Sequence, residues 1–358
     1  MRKAVAHLPL HYGTAPRWLF ERMKALGREV VRIMAWEFGP EEVLRRLSDP
    51  FWFQALGCLM GFDWHSSGLT TTVCGALKEG LRGLEEEVGI LVAGGKGKRS
   101  LQTPSELERY GERFSVDADR LIYVSRMAAK VDSCALQDGY QLYHHTFFFT
   151  FQGTWCVIQQ GMNPATRYAR RYHWISEGVE DFCCEPHKAI CCDAKGVILN
   201  LVARESAEAR EAMAEIASEH PERVLRELRP VKELTLPQRH PISREEISEE
   251  MLHKVLLKTY ERQPKDLEGI LAIRGIGPKG VRALSLAAEI IYGKGPSFRD
   301  PARFSFAHGG KDRHPYPVDR ELYDRTIEAL KECLWAAKVG RTEKLEAIQR
   351  LSTFYERH

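Results

Sequence analysis

The chain has 358 residues, enough for two or three domains that each bury a core. With 44% hydrophobic and 28% charged residues it reads as globular and not disordered, and a formal charge of +3 permits a nucleic-acid partner without requiring one. No run of about 18 apolar residues is present, so no membrane span is expected. Residues 1–10 are broken by His7 and Pro9 and too short for a secretory signal, which makes a cytoplasmic protein the expectation.

Residues 13–32 predict a helix, with Thr14 as cap, Pro16 in the first turn, and Leu19, Phe20, Met23 and Leu26 at helical spacing. A second helix is predicted over 40–47 and a buried one from 51 to Gly61. A polar loop from Asp63 to Thr72 leads to a helix over 73–84. Asp63, His65 and Ser66 in that loop are neighbours along the chain, not groups assembled by a fold, so a capped loop lining a groove is a better reading than a hydrolytic triad. Gly94-Gly95-Lys96-Gly97-Lys98-Arg99-Ser100 is a glycine-rich basic loop that misses the spacing of a Walker motif. Lys96, Lys98 and Arg99 are candidate contacts to a phosphate backbone, the alternative being a solvated loop. Thr103 is the expected cap of the next helix.

A helix over 121–130 precedes a strong β-hairpin signal. The runs are Thr146-Phe147-Phe148-Phe149-Thr150-Phe151 and Thr154-Trp155-Cys156-Val157-Ile158-Gln159-Gln160, joined by Gln152-Gly153. Amides, imidazoles, arginines and aromatics crowd both ends of this hairpin. They nominate a base- or nucleoside-reading pocket made of Gln137, Asp138, Tyr140, His145, Gln160 and Arg171. The alternative is a core hairpin whose polar ends are satisfied internally.

Nine cysteines in a chain of this length do not make a disulfide scaffold. Cys183-Cys184 and Cys191-Cys192 are vicinal pairs, not the C-x2-C spacing of a zinc site, although His187 between them is a conceivable ligand. Buried thiols on paired strands, or disulfides, are expected ahead of a metal, and no metal or cofactor is assigned. Strands or short helices are expected at 189–192 and 197–201, and helices over 205–217 and up to Leu228. Pro230, Pro237 and Pro241 mark a domain boundary, giving an amino-terminal α+β domain over 1–230 and an all-α domain over 231–358.

The second domain contains Ile273-Arg274-Gly275-Ile276-Gly277-Pro278-Lys279, set between apolar helical segments 265–271 and 281–292. Gly275 and Gly277 leave the turn's backbone bare, so its N–H groups and those opening the next helix are free to face a phosphate. Arg274 and Lys279 add positive charge. Further on, Lys311, Arg313 and His314 form a basic stretch before Pro317-Val318-Asp319, where Asp319 opens a predicted helix.

Residues 266–335 resemble the helix-hairpin-helix DNA glycosylase superfamily through this turn and the Val318-Asp319 motif. Lys279 falls where the bifunctional branch has its Schiff-base lysine, and Asp319 where the superfamily has its catalytic aspartate. Arg320-Glu321 replaces the small residue and His usual after that aspartate. The chain as a whole resembles an uncharacterised archaeal and thermophile family, a domain of unknown function, on Phe62-Asp63-Trp64-His65-Ser66-Ser67-Gly68 and Gln137-Asp138-Gly139-Tyr140. The first resemblance implies a DNA repair glycosylase or glycosylase/AP lyase that flips a damaged base out of double-stranded DNA. Lys279 would attack the sugar, with Asp319 activating it or stabilising the cationic sugar. Arg274, Gly275, Gly277, Lys311, Arg313 and His314 would bind DNA, and a monomer is expected. Two other expectations stand beside this: a non-catalytic DNA- or RNA-binding protein, and a nucleotide-acting enzyme with its site in the amino-terminal domain.

Overall fold

The computed structural model describes residues 15–62, 67–192, 195–228 and 249–302, with isolated positions between 332 and 347. Asp63, His65, Ser66, Lys311, Arg313, His314 and Asp319 lie outside the described residues, as do Thr14 and the proline-rich stretch 229–248.

Four helices come first: α1 (Arg17–Phe38), α2 (Pro40–Ser48), α3 (Pro50–Leu59) and α4 (Gly68–Gly80). Met23, Leu26, Val30, Val31 and Met34 form the buried stripe of α1, at helical spacing. Asp49 caps α3 by accepting from the N–H groups of Phe51 and Trp52 at 2.8 and 2.9 Å. The short α5 (Glu85–Val88) leads to β1 (Ile90–Lys96). Then come α6 (Thr103–Phe114) and α7 (Ala118–Lys130), the latter running into a wide turn over Val131–Ala135. Thr103 is not the cap expected of it: its hydroxyl is buried and donates to the Ser100 carbonyl at 2.7 Å.

The next strands are β2 (Leu136–Gln137), β3 (Gln141–Thr150), β4 (Trp155–Met162), β5 (Ala169–Ile175), β6 (Ala189–Cys191) and β7 (Val197–Asn200). Helices α8 (Ala207–Ser218), α9 (Pro221–Leu228), α10 (Glu249–Arg262), α11 (Leu267–Ala272) and α12 (Pro278–Tyr292) follow, and then β8 (Ser297–Arg299). The expected hairpin is β3–β4, with Phe149 opposite Trp155 and Gly153 at φ 85° in its loop. The fold is α+β and mostly helical, with antiparallel sheets. The main sheet has the order β1-β3-β4-β5-β6, and a smaller one the order β2-β7-β8.

The main sheet is buried on both faces. Alternation along each strand sends Val92, Phe148, Cys156, Ile158 and Ile175 toward α1–α4. It sends Leu91, Phe147, Phe149, Val157 and Trp174 toward the other helical layer. That second layer joins α7 and α8 to α10–α12 in one core cluster, from Leu91 through Met213 to Leu284 and Ala302. Strand β8 pairs with β7. The two sides of the expected boundary at 230 therefore share one core within the described residues. Among these residues no helix is long and apolar enough to cross a membrane.

Candidate functional site

The turn joining α11 to α12 has the shape its sequence predicts. Gly275 sits at φ 86°, a conformation side chains disfavour. Asp266 caps α11 by accepting from the Gly269 N–H at 2.7 Å, while α12 starts at Pro278 with no side-chain cap on its first turn. The N–H groups of Gly277, Lys279 and Gly280 meet no acceptor within the described residues. Proline at the first helical position gives up a donor the helix would leave unpaired anyway. Arg274 and Lys279 are exposed. Lys258 on α10 brings its ammonium so close to the turn that a Cβ on Gly275 would lie 2.8 Å from Nζ. Three cations thus surround one uncapped helix start.

The turn's inner side is tied to the rest of the molecule. Lys130 Nζ donates to the Ile276 carbonyl. Gln137 Nε2 donates to the carbonyls of Cys134 at 2.8 Å and Pro278 at 2.9 Å, and Gln137 Oε1 accepts from Arg282 Nε at 2.7 Å. Gln137 is therefore a strut beneath the turn, with both ends of its amide engaged by protein.

The six residues nominated for a base pocket do not converge on one space. Strand alternation puts His145 on one face of the main sheet and Gln160 and Arg171 on the other, while Gln137 lies on β2 of the smaller sheet and Asp138 and Tyr140 lie between β2 and β3. Gln160 and Arg171 face α3 and α4. Gln160 Nε2 donates to the Ser67 carbonyl at 2.8 Å and also to the Tyr143 hydroxyl. Arg171 is fully buried, donates to Thr70 Oγ1 and Gln54 Oε1 at 3.2 and 3.1 Å, and stacks over the Phe53 ring.

His145, Asp138 and Tyr140 lie on the opposite side. Asp138 accepts from the Tyr172 hydroxyl at 2.6 Å and Arg170 Nη1 at 3.0 Å. Arg170 also meets Asp300 through both terminal nitrogens, at 3.1 and 2.6 Å, and lies over the Tyr140 ring. Burial pushes the Asp138 carboxyl above the usual carboxylate range, opposed by Arg170 and the Tyr172 hydrogen bond.

Around Asp132, in the wide turn after α7, the hydrogen-bond directions are fixed by chemistry. Asp132 is fully buried. Its Oδ2 accepts from Gln159 Nε2 at 2.5 Å and Trp174 Nε1 at 3.0 Å, and its Oδ1 faces His187 Nε2 at 2.5 Å. Because Gln159 donates through its nitrogen, its Oε1 must accept from His145 Nδ1, 2.9 Å away. His145 Nε2 then accepts from the Ser125 hydroxyl at 2.8 Å. Burial pulls the His145 pKa down, which agrees with a neutral ring. A serine, a histidine and an orienting amide in series look like a nucleophile chain. Ser125 and His145 are both buried, however, which fits a structural relay ending on Asp132. Neither Asp132 nor Gln159 stands in a sequence motif; contacts between distant parts of the chain assemble the cluster.

The basic loop after β1 is organised by its own neighbours. Gly94 donates its N–H to Glu106 at 2.6 Å, its carbonyl accepts from Lys78, and a Cβ there would lie 2.2 Å from the His145 carbonyl oxygen. That glycine serves the close approach of β1 to its paired neighbour β3. Lys96, at the end of β1, and Lys98 and Arg99, on the turn that follows, are exposed, with Arg99 at 3.9 Å from Glu79.

Cys183, Cys191 and Cys192 are buried, Cys184 is half-buried, and all four are free thiols, so of the two arrangements expected ahead of a metal the structure has the thiols, with only Cys191 of the four on a paired strand. Cys191 lies on β6 opposite Arg171 of β5, and burial raises its pKa to about 12. Cys192 Sγ lies 3.0 Å from the Tyr140 hydroxyl. No group of three His, Cys, Asp or Glu side chains placed to hold a metal occurs among the described residues.

No curated protein and no solved structure matches the chain. Residues 4–318 match the model of a family described as a protein of unknown function, DUF763, and the chain belongs to that family.

Proposed function

We propose that the chain binds a nucleic-acid backbone through the turn 273–280. The observation that supports this is the uncapped start of α12, with the unengaged N–H groups of Gly277, Lys279 and Gly280 set among the cations of Lys258, Arg274 and Lys279. Bare amides at a helix start suit a phosphate oxygen, and the surrounding cations add a long-range, salt-sensitive attraction. The struts from Lys130 and Gln137 hold the turn in place before any ligand arrives.

Binding is favoured over base excision by the exposure of Lys279. A Schiff-base lysine must lose its proton near neutral pH, which burial promotes and contact with water does not. Its partner in the resembling superfamily, Asp319, lies outside the described residues.

Fluorescence anisotropy of a labelled duplex, titrated across a range of salt, tests the reading. Each phosphate contact in a duplex contributes ~0.9 to the slope of log affinity against log salt. Changing Lys258, Arg274 and Lys279 together to Gln is expected to reduce that slope by about 2–3. Unchanged affinity and slope in the triple variant would falsify the proposal. A parallel incubation with abasic-site duplex and borohydride reads the excision alternative: an adduct that forms, and is lost in Lys279→Ala, makes the protein a lyase.

A further inference from the structure

A cavity of about 120 Å³ opens between β6 and the residues following β7. It has room for several waters or a small organic group. Ile190 and Val202 give it an apolar side, while His187, Lys188, Glu185 and Asn200 give it a polar one. Asn200 is already committed, donating to the Arg299 carbonyl at 3.0 Å and accepting from the Val202 N–H at 3.2 Å. Lys188 and Glu185 are exposed at this wall.

His187 differs from the other polar groups of the wall in how firmly it is held. Its side chain is only 6% exposed, its ring lies 4.4 Å from that of Trp174 and 6.2 Å from that of Tyr172, and Nε2 lies 2.5 Å from Asp132 Oδ1. Asp132 is engaged by N–H donors on its other oxygen as well, and an ionised carboxylate only accepts. A proton on His187 Nε2 gives Asp132 Oδ1 a donor as well, and in that tautomer the ring's lone pair is on Nδ1. No protein group among the described residues bonds Nδ1.

We propose that His187 is a general base serving a small-ligand site in this cavity. Its ligand class is a water or a small hydroxyl-bearing group, held with its O–H toward Nδ1. In the step, the O–H bond breaks, the proton passes to Nδ1, and both electrons of that bond stay on oxygen. The new imidazolium is stabilised by the Asp132 carboxylate, and the Lys188 ammonium on the same wall favours the developing oxyanion.

Two measurements on the full chain decide it. The first is a long-range ¹H–¹⁵N correlation spectrum, with His187 assigned by its loss in His187→Gln. A neutral ring protonated on Nε2, with a pyridine-like Nδ1, is expected; a proton on Nδ1 at neutral pH overturns the proposal. The second is carbethoxylation by diethyl pyrocarbonate at neutral pH, mapped by peptide mass. The probe reacts when an imidazole lone pair attacks its carbonyl carbon and ethyl carbonate departs. His187 is expected to react at least as fast as the more exposed His253, whose side chain is 37% exposed. In Asp132→Asn the His187 rate is expected to fall about tenfold or more, because the ring loses the partner that fixes its tautomer. An unreactive His187, or one unaffected by Asp132→Asn, overturns the proposal. If Asp132→Asn fails to fold, the nitrogen spectrum of the native chain still decides.

Discussion

At the scale of single residues, the buried arginines show how little of a residue's role its type reveals. Arg170 and Arg171 are adjacent and both fully buried, yet they serve opposite faces of one strand. Arg170 bridges Asp138 and Asp300, carboxylates 1% and 2% exposed. Deleting one partner of such a network strands the other charges in a poorly solvated place. Arg170→Met is therefore expected to cost about 3–5 kcal/mol, measured by urea unfolding. Adding Asp138→Asn and Asp300→Asn should recover part of that loss, since no buried charge then remains unpaired. A loss below about 1 kcal/mol for Arg170→Met alone would mean that water reaches these carboxylates. None of this was legible in the sequence, because Asp300 lies 130 positions from Arg170 and belongs to no motif with it.

At the scale of elements, the hairpin and the turn before α12 are legible in the sequence and their orientation is not. The β3–β4 hairpin is announced by β-branched and aromatic runs around Gly153, and the turn before α12 by Gly275 and Gly277. Polar residues at the open end of the hairpin suggested a shared pocket. Both faces of this sheet are covered by helices, so polarity there marks internal hydrogen bonding and not a solvent-facing side. The face a residue takes depends on register, which the runs alone leave undetermined.

A consequence for acid stability follows from the histidines on these strands. Burial lowers the pKa of His144 to about 3, lowers that of His145, and lowers that of His173 to well below its ordinary value. The unfolded chain therefore binds protons that the native state refuses. Their contribution to stability is fully present above about pH 6.5 and is lost as pH falls below it. Each fully refusing histidine adds a slope of about 1.4 kcal/mol per pH unit. Urea unfolding between pH 7 and 5 should show stability falling with acid, in a range above the ordinary titration of carboxylates. A flat profile over that interval would mean that these rings are protonated in the folded protein.

At the scale of the whole molecule, helices α10–α12, which carry the turn 273–280, share a buried cluster with elements from before residue 230. The cluster containing Leu256, Leu267, Ile270 and Leu284 is continuous with Leu121, Val131 and Met213. The proline-rich stretch suggested a boundary because composition reports where a chain leaves a core, and it carries no information on whether the chain returns to the same one. Here β8 returns to pair with β7.

The strut at Gln137 connects this architecture to function. Gln137→Ala removes an uncharged group that holds Pro278 and Arg282 and lies beneath the proposed phosphate site. Duplex affinity should fall several-fold while the salt slope stays the same, because no phosphate contact is removed. Anisotropy titrations at several salt concentrations separate this from the lysine and arginine variants, which must change the slope.

The shared core also determines what a fragment does. Residues 249–292, cut from the rest, would expose the apolar faces of α10, α11 and α12 that α7 and α8 now cover. Leu256, Ile270, Leu271, Val281 and Leu284 are each completely buried in the intact chain. Fully burying such a side chain is worth about 1.5–3 kcal/mol, so losing even a few of these contacts exceeds much of a typical domain's stability of roughly 5–15 kcal/mol. A fragment spanning 231–358 is therefore expected to show no slowly exchanging amides. In the intact protein, the amides of α12 and β4 should exchange with similar free energies, because both elements contribute to one core. A folded, protected fragment would instead establish the hairpin region as an independent domain.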